Sequence, residues 1–300
     1  MNTYRIRLRS LGSWCTPWHA DSLFGALAWQ VRQLAGDEGL EKFLNESHSA
    51  TPPFILSDAS PEGWLPCPLS AELLDGLRDS NLQTKLPAWI PEGQFQSLVR
   101  EPKPIPPLKE WPEPMVARRN LHASIHRTLG TTTGEGSNLF ETREWYFKEV
   151  DGKRPEGLVV YVRTDAWLDR VVSLFESLSS VGFGKKRSSG RGAFEVDGQP
   201  EVCEWMDQQD GSNAFVALSH FVPAATDPRE GRWSVVTKYP KFSPGAPSGA
   251  IFKGRLVMLR PGSAFRLSAP IRQFYGQMLK DPSGSVQYAR AFAVPMRWPE

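Results

Sequence analysis

Cysteine is scarce in this chain of 300 residues. The three present, Cys15, Cys67 and Cys203, are an odd number without C-x-x-C spacing, which argues against a disulfide framework or a zinc site and suits a reducing cytoplasm. Long apolar runs are missing too. None approaches the roughly 18 residues that a membrane span needs, and the opening M-N-T-Y-R-I-R-L-R lacks the apolar core of a secretory signal. A cytoplasmic protein with no membrane partner is expected. Nor does one charge dominate: 35 Lys and Arg against 33 Asp and Glu leave a net charge of +2, so any nucleic-acid footprint has to be local rather than global.

Proline and tryptophan are plentiful, at 26 and 11, which points to long ordered loops. At roughly 100 to 200 residues per domain, the length suits two packed domains.

The densest chemistry lies in Val181 to Phe194, V-G-F-G-K-K-R-S-S-G-R-G-A-F. Gly182, Gly184, Gly190 and Gly192 alternate with Lys185, Lys186, Arg187 and Arg191, with Ser188 and Ser189 between them and no acidic residue. Glycines let consecutive N–H groups turn toward one anion while cations neutralise it. The nucleotide fingerprints are absent: there is no G-x-x-x-x-G-K-[ST], and Arg187 stands where G-x-G-x-x-G needs its third glycine. A polyanion backbone fits better than a mononucleotide; the alternative is a solvated surface hairpin.

Thr3 to Leu11 alternates, Tyr4, Ile6 and Leu8 against Arg5, Arg7 and Arg9, as a half-buried strand does. Its arginine face either is solvated or lines a phosphate path. The following helix carries Leu23, Phe24, Leu27, Val31 and Leu34 on its apolar side, with Asp21 or Ser22 as N-cap and Gly25 explained by close backbone packing. His19 reads as a packing histidine or an RNA contact. Eight prolines between Leu86 and Pro114 exclude continuous helix or central strand and predict an ordered, extended excursion.

Residues 118 to 140 crowd Arg118, Arg119, Asn120, His122, His126 and Arg127 ahead of a Thr/Gly-rich turn and Leu139–Phe140. His122 and His126 stand i, i+4, but the glutamate of H-E-x-x-H is missing and no third ligand is evident, so no metal is expected. Gripping RNA by sugars, phosphates and splayed bases is the better use of these donors. Gly157 to Thr164 predicts a strand, and Asp165 the cap of a helix burying Trp167, Leu168, Val171, Val172, Phe175 and Leu178. With the strand Arg191 to Val196, the first 205 residues assemble as a ferredoxin-like β-α-β-β-α-β domain with a large insertion at about 36–156. Strands at 214–222, 233–239, 251–260 and 287–295 and a short helix at 274–279 predict a second α+β domain over 206–300, in which Lys253 and Arg255 repeat the pairing of glycine with cations.

In order along the chain, W-H-A-D-S-L-F-G-A-L-A-W, N-L-H-A-S-I-H-R-T-L-G, G-F-G-K-K-R-S-S-G-R-G-A-F, K-G-R-L-V-M-L-R-P-G-S and A-R-A-F-A-V-P resemble the CRISPR-associated RAMP superfamily. The pattern is most similar to the subunit that caps the guide-RNA 5′ end in type III-A (Csm) effectors. The resemblance implies two ferredoxin-like, RRM-like domains, no catalytic turnover and no cofactor. It also implies a grip on the repeat-derived 5′ tag of the crRNA, and docking to a large polymerase-like subunit and to a backbone RAMP subunit. Gly182, Gly184, Lys185, Lys186, Arg187, Ser188, Ser189, Gly190 and Arg191 would then cradle tag phosphates, with Asn120, His126 and Arg127 contributing and His19 to Gly25 shaping the first helix. The rival reading is a metal-independent endoribonuclease of the same superfamily processing CRISPR repeat RNA, with His19 or His126 as general base or acid.

Overall fold

The computed structural model describes residues 1–73, 86–105, 111–132, 139–242, 253–280 and 284–299. Pro106 and Pro107 of the proline-rich stretch, the centre of the Thr/Gly-rich turn, and Ile251–Phe252 lie outside them.

The first strand, β1 (Asn2–Ser10), leads into helix α1 (Ala20–His48) and two short edge strands, β2 (Ile55–Leu56) and β3 (Ser60–Pro61). β4 (Trp64–Pro66) pairs with β5 (Trp89–Pro91), which runs straight into helix α2 (Glu92–Arg100). A long hairpin of β6 (Met115–Ala123) and β7 (Leu139–Phe147) follows, then β8 (Gly157–Thr164), helix α3 (Leu168–Ser179) and β9 (Phe194–Val202). The main sheet has the order β2-β8-β1-β9, antiparallel throughout, with β3 also on β8. Placing α1 after β1 and α3 after β8 gives the ferredoxin-like β-α-β-β-α-β arrangement expected from the sequence.

β8 explains why this sheet is central. All eight of its residues are buried, as a run of V-V-Y-V requires when both faces are covered. Leu158, Val160 and Val162 point to one core with Ile6, Leu8, Leu23, Phe24, Leu27, Val171, Leu174 and Phe175. Val159 and Tyr161 point to a second, with Ala214, Val216, Phe292 and Val294. Each such side chain removed from water contributes about 1.5–3 kcal/mol.

The second core comes from β10 (Ala214–Ala217), β11 (Gly231–Arg232), β14 (Ala264–Arg266) and β17 (Ala293–Met296), in the order β11-β14-β10-β17. Beside it lie two ribbons, β12 (Val235–Lys238) with β13 (Leu256–Leu259), and β15 (Tyr275–Lys280) with β16 (Val286–Ala291). Among the described residues no α-helix follows Ser179. The expected second RRM-like domain is thus not seen as a β-α-β repeat: the helix expected at 274–279 is strand β15. There the polar Gln277 and Lys280 follow no helical stripe, and Gly276 at φ +77 receives the close approach of the Ala289 carbonyl.

Other local expectations change. The N-cap position of α1 is His19, not Asp21 or Ser22, and a carboxylate from elsewhere in the chain, Asp58, accepts the Ala20 N–H at 2.8 Å. Asp165 does not cap α3: it pairs with the terminal amine of Met1, while Thr164 Oγ1 accepts the Trp167 N–H. Gly25 is exposed and a Cβ there would meet nothing within 4 Å, so no backbone packs on it. Leu34 is 67% exposed; burial along α1 stops after Val31 and resumes at Phe43, beyond the break at Gly36. In the proline-rich stretch, Pro91 and Pro102 bracket enough proline-free chain for α2, whose Phe95, Leu98 and Val99 enter the second core.

Arg163, 3% exposed, ties the halves together. Its guanidinium donates to Asp207, to the carbonyls of Gln273 and Ala293, and to Thr3, whose own N–H and hydroxyl also reach Asp207. Burial lowers its pKa, and Asp207 opposes that shift.

Candidate nucleic-acid interface

The glycine-rich loop begins where α3 ends, the Gly182 N–H donating to the Leu178 carbonyl. Gly184 takes φ +86, and a Cβ there would lie 2.5 Å from Thr16; at Gly192, φ +71, a Cβ would lie 2.0 Å from the Phe183 carbonyl oxygen. Glycine is required at both by conformation and by space. The loop is pinned to the segment before α1: Leu11 N–H to Ala193, Gly192 N–H to Ser13, and Lys185 N–H to the Thr16 hydroxyl.

This packing changes the chemistry expected from the sequence. The N–H groups of Phe183, Lys185, Ser189, Gly190, Arg191 and Gly192 all donate within the protein, so they do not form a backbone nest for an anion. Lys185 through Gly190 are exposed instead, with Arg187–Ser189 in a single 3-10 turn entered through Lys186 at φ +62. The loop presents side chains: Lys185, Lys186 and Arg187, none in an ion pair with a described carboxylate, beside Ser188 and Ser189.

Arg191 is used differently. Its Nε donates at 2.8 Å to Glu144 on β7, a side chain 1% exposed. Glu144 also accepts from the hydroxyls of Ser13 (2.7 Å), Tyr146 (2.9 Å) and Thr142 (3.1 Å). Burial pushes its pKa up, but bonds from Ser13, Tyr146, Asn120 and Arg191 outweigh that and hold it at about 2. Sequence reading passed over Glu144, and one signal could have found it: a lone acid facing alternate positions of a hairpin rich in basic and hydroxyl residues.

The register of β6 on β7 puts Asn120, His122, Phe140, Thr142, Glu144 and Tyr146 on one face, turned to the loop. His122 and His126 therefore do not share a helix face: His122 lies in a strand, hydrogen-bonded to Thr142 at 2.6 Å and stacked on Phe140. His126 closes the following turn, its Nδ1 accepting the Leu129 N–H. Asn120 donates to the Tyr146 hydroxyl, Lys186 rides over the Phe140 ring at 4.9 Å, and Arg127 is exposed. The hairpin base is stitched to the same pre-helix segment by Trp14 and Trp145, which exchange backbone hydrogen bonds. Cys15, beside this cluster, has its thiol pKa raised by burial and by Glu144. A cleft of about 610 Å³ adjoins it, lined by Arg9, Ser13, Tyr146, Phe147 and Arg154 among others.

Loop and hairpin are thus brought together. The other nominated residues lie apart from them. Lys253 reaches back to Val286 and Gln287, while Arg255 is exposed on the ribbon side. His19 packs against His220 with ring centroids 4.1 Å apart and the planes tilted by 42°, and burial lowers its pKa to about 4. Neutral at physiological pH, it offers no cation to a phosphate. The arginine face of β1 is paired internally: Arg5 with Glu92 and Glu201, Arg7 with Glu62 and Glu201, and Arg9 with Glu195. No helix among the described residues is long and apolar enough to cross a membrane.

A ferredoxin-like sheet fused to a second antiparallel sheet, with a glycine-rich basic loop clasped by a long hairpin, defines the class of fold. No family model and no curated protein matches the chain. Solved structures do. A chain in the crystal structure of the Csm1-Csm4 cassette in complex with AMPPNP superposes with TM-score 0.63 at 17% identity, covering 99% of both chains. One from that cassette with cA4 gives 0.62 at 16%, again over 99% of both. A chain from the Csm3-Csm4 subcomplex of the type III-A CRISPR-Cas interference complex gives 0.56 at 12%, over 99% of this chain and 100% of the other. The protein shares its fold with these chains over essentially its whole length.

Proposed function

We propose that the protein is a non-catalytic RNA-binding subunit of a type III-A CRISPR (Csm) interference complex. It holds the 5′ repeat-derived tag of the crRNA and docks a large polymerase-like subunit on one side and a backbone RAMP subunit on the other. The observation that carries this reading is the full-length match to chains from two different assemblies, Csm1-Csm4 and Csm3-Csm4, whose common component is Csm4. Lys185, Lys186 and Arg187 take the tag phosphates, helped by Ser188 and Ser189. Gly182, Gly184, Gly190 and Gly192 shape the loop, and Arg191 fixes it to the hairpin. Asn120, His126 and Arg127 lie along the neighbouring hairpin; Lys253 and Arg255, apart from it on the second half, are separate RNA contacts.

A binding role is favoured over the endoribonuclease reading because the two histidines nominated for catalysis are differently employed. His19 packs against His220, and His126 holds a turn closed. A general acid–base pair has to converge on one reacting group. The test is incubation of the purified chain with labelled CRISPR repeat RNA in the absence of metal. Retention of intact RNA is expected; cleavage that disappears in His126→Ala or His19→Ala would contradict the proposal.

A further inference from the structure

His19, Asp58 and His220 converge from three separate parts of the fold: the residue before α1, the link between β2 and β3, and the chain after β10. One potential ligand atom from each lies within 4.8 Å of the other two. The carboxylate is preset by the backbone. Asp58 Oδ1 accepts the N–H groups of Ala20 at 2.8 Å and His220 at 3.2 Å, leaving Oδ2 directed at Nδ1 of His220, 2.5 Å away. Asp58 and His220 are buried, whereas His19 retains access to solvent. We propose that these three side chains form a binding site for a divalent transition-metal ion of the zinc class, held by two imidazole nitrogens and Oδ2 of Asp58.

Two imidazoles and one carboxylate are a donor set suited to Zn²⁺, Co²⁺ or Ni²⁺ rather than to Mg²⁺ or Ca²⁺, which take oxygen. Metal binding needs deprotonated imidazole, so the affinity rises with pH. Binding replaces the Asp58–His220 hydrogen bond: the Nδ1 proton leaves to solvent, and carboxylate and ring move apart from 2.5 Å to admit an ion with bonds of about 2.0–2.2 Å. His19, partly exposed, is the one of the three that reaches solvent. The site is structural, fastening the start of α1 to the edge of the first sheet and to the second, and it is independent of the RNA-binding reading. Sequence spacing could not reveal it, because 162 residues separate Asp58 from His220. The other charges nearby are Lys238 and Asp21, paired at 2.7 Å, and the Lys238 ammonium works against a cation.

The experiment is titration of the EDTA-dialysed full-length chain with Co²⁺, read by visible ligand-field absorption, and with Zn²⁺, read by thermal unfolding. Stoichiometric binding with a rise in Tm is expected. His19→Gln and His220→Gln should each weaken the affinity by at least about 100-fold, beyond the usual effect of losing a supporting residue around a metal. Lys238→Met should tighten it. His19→Gln, at the solvent side, keeps the test valid if His220→Gln does not fold. No stoichiometric binding, or binding that survives His19→Gln unchanged, overturns the proposal, the latter identifying an adventitious ion only.

Discussion

Arg191 Nε and Glu144 Oε2 stand 2.8 Å apart, a loop cation closed onto a carboxylate that is almost wholly withdrawn from water. This bond joins the glycine-rich loop to the β6–β7 hairpin and sets Lys185–Ser189 outward. Replacing Glu144 by Gln weakens the bonds that Ser13, Tyr146 and the part-exposed Arg191 make to this buried carboxylate, and hydrogen bonds to a charged group contribute about 1.5–3 kcal/mol. A fall in Tm is therefore expected. RNA binding discriminates further. Simple charge counting predicts tighter binding once a carboxylate is removed, whereas loss of loop position predicts weaker binding, and weaker binding is the expected result in a filter or fluorescence titration.

Arg163 is the corresponding fastening between the two sheets. Arg163→Met takes the guanidinium from a part-exposed Asp207 that keeps its bonds from Thr3, and leaves the Gln273 and Ala293 carbonyls without this donor, a change of about 1–3 kcal/mol. Chemical denaturation should show that loss, with a lower midpoint.

Acid should act through two groups in succession. His19 has its pKa lowered from 6.5 to about 4 in the folded chain, so the unfolded state takes up the proton first. The stability it supports is complete above pH 6.5 and is lost as pH falls toward 4. Glu144, lowered from 4.5 to about 2, adds a further loss below pH 4.5. Tm measured against pH should fall in both windows, and His19→Gln should flatten the upper one alone.

The first half of the fold was legible because its signals are local. Strict alternation identified β1, the apolar run G-L-V-V-Y-V identified β8, and Gly182 marked the end of α3. The caps of α1 and α3 were not legible, since Asp58 and Thr164 reach their acceptor positions through tertiary structure or from outside the expected cap position. The same limit hid most of the site. Lys185–Ser189 announce themselves by composition, but Glu144 matters only because the hairpin register aims it at a loop 47 residues later, and the neutralisation of Arg5, Arg7 and Arg9 depends on four acids from three other places. β15 was misread because a short apolar run fits helix and strand equally well.

The central claim is that the loop grips the 5′ tag of a guide RNA. The most direct test is purification of the assembled complex from its host, carrying either the natural chain or Lys186→Ala with Arg187→Ala, and sequencing of the bound RNA across a salt series. The account predicts RNAs that begin with repeat-derived sequence, and in the double variant lower retention with a salt slope shallower by about 1.4, since each single-strand phosphate contact contributes about 0.7. Bound RNA without repeat sequence at its 5′ end, or a salt slope unchanged by the two substitutions, would contradict it.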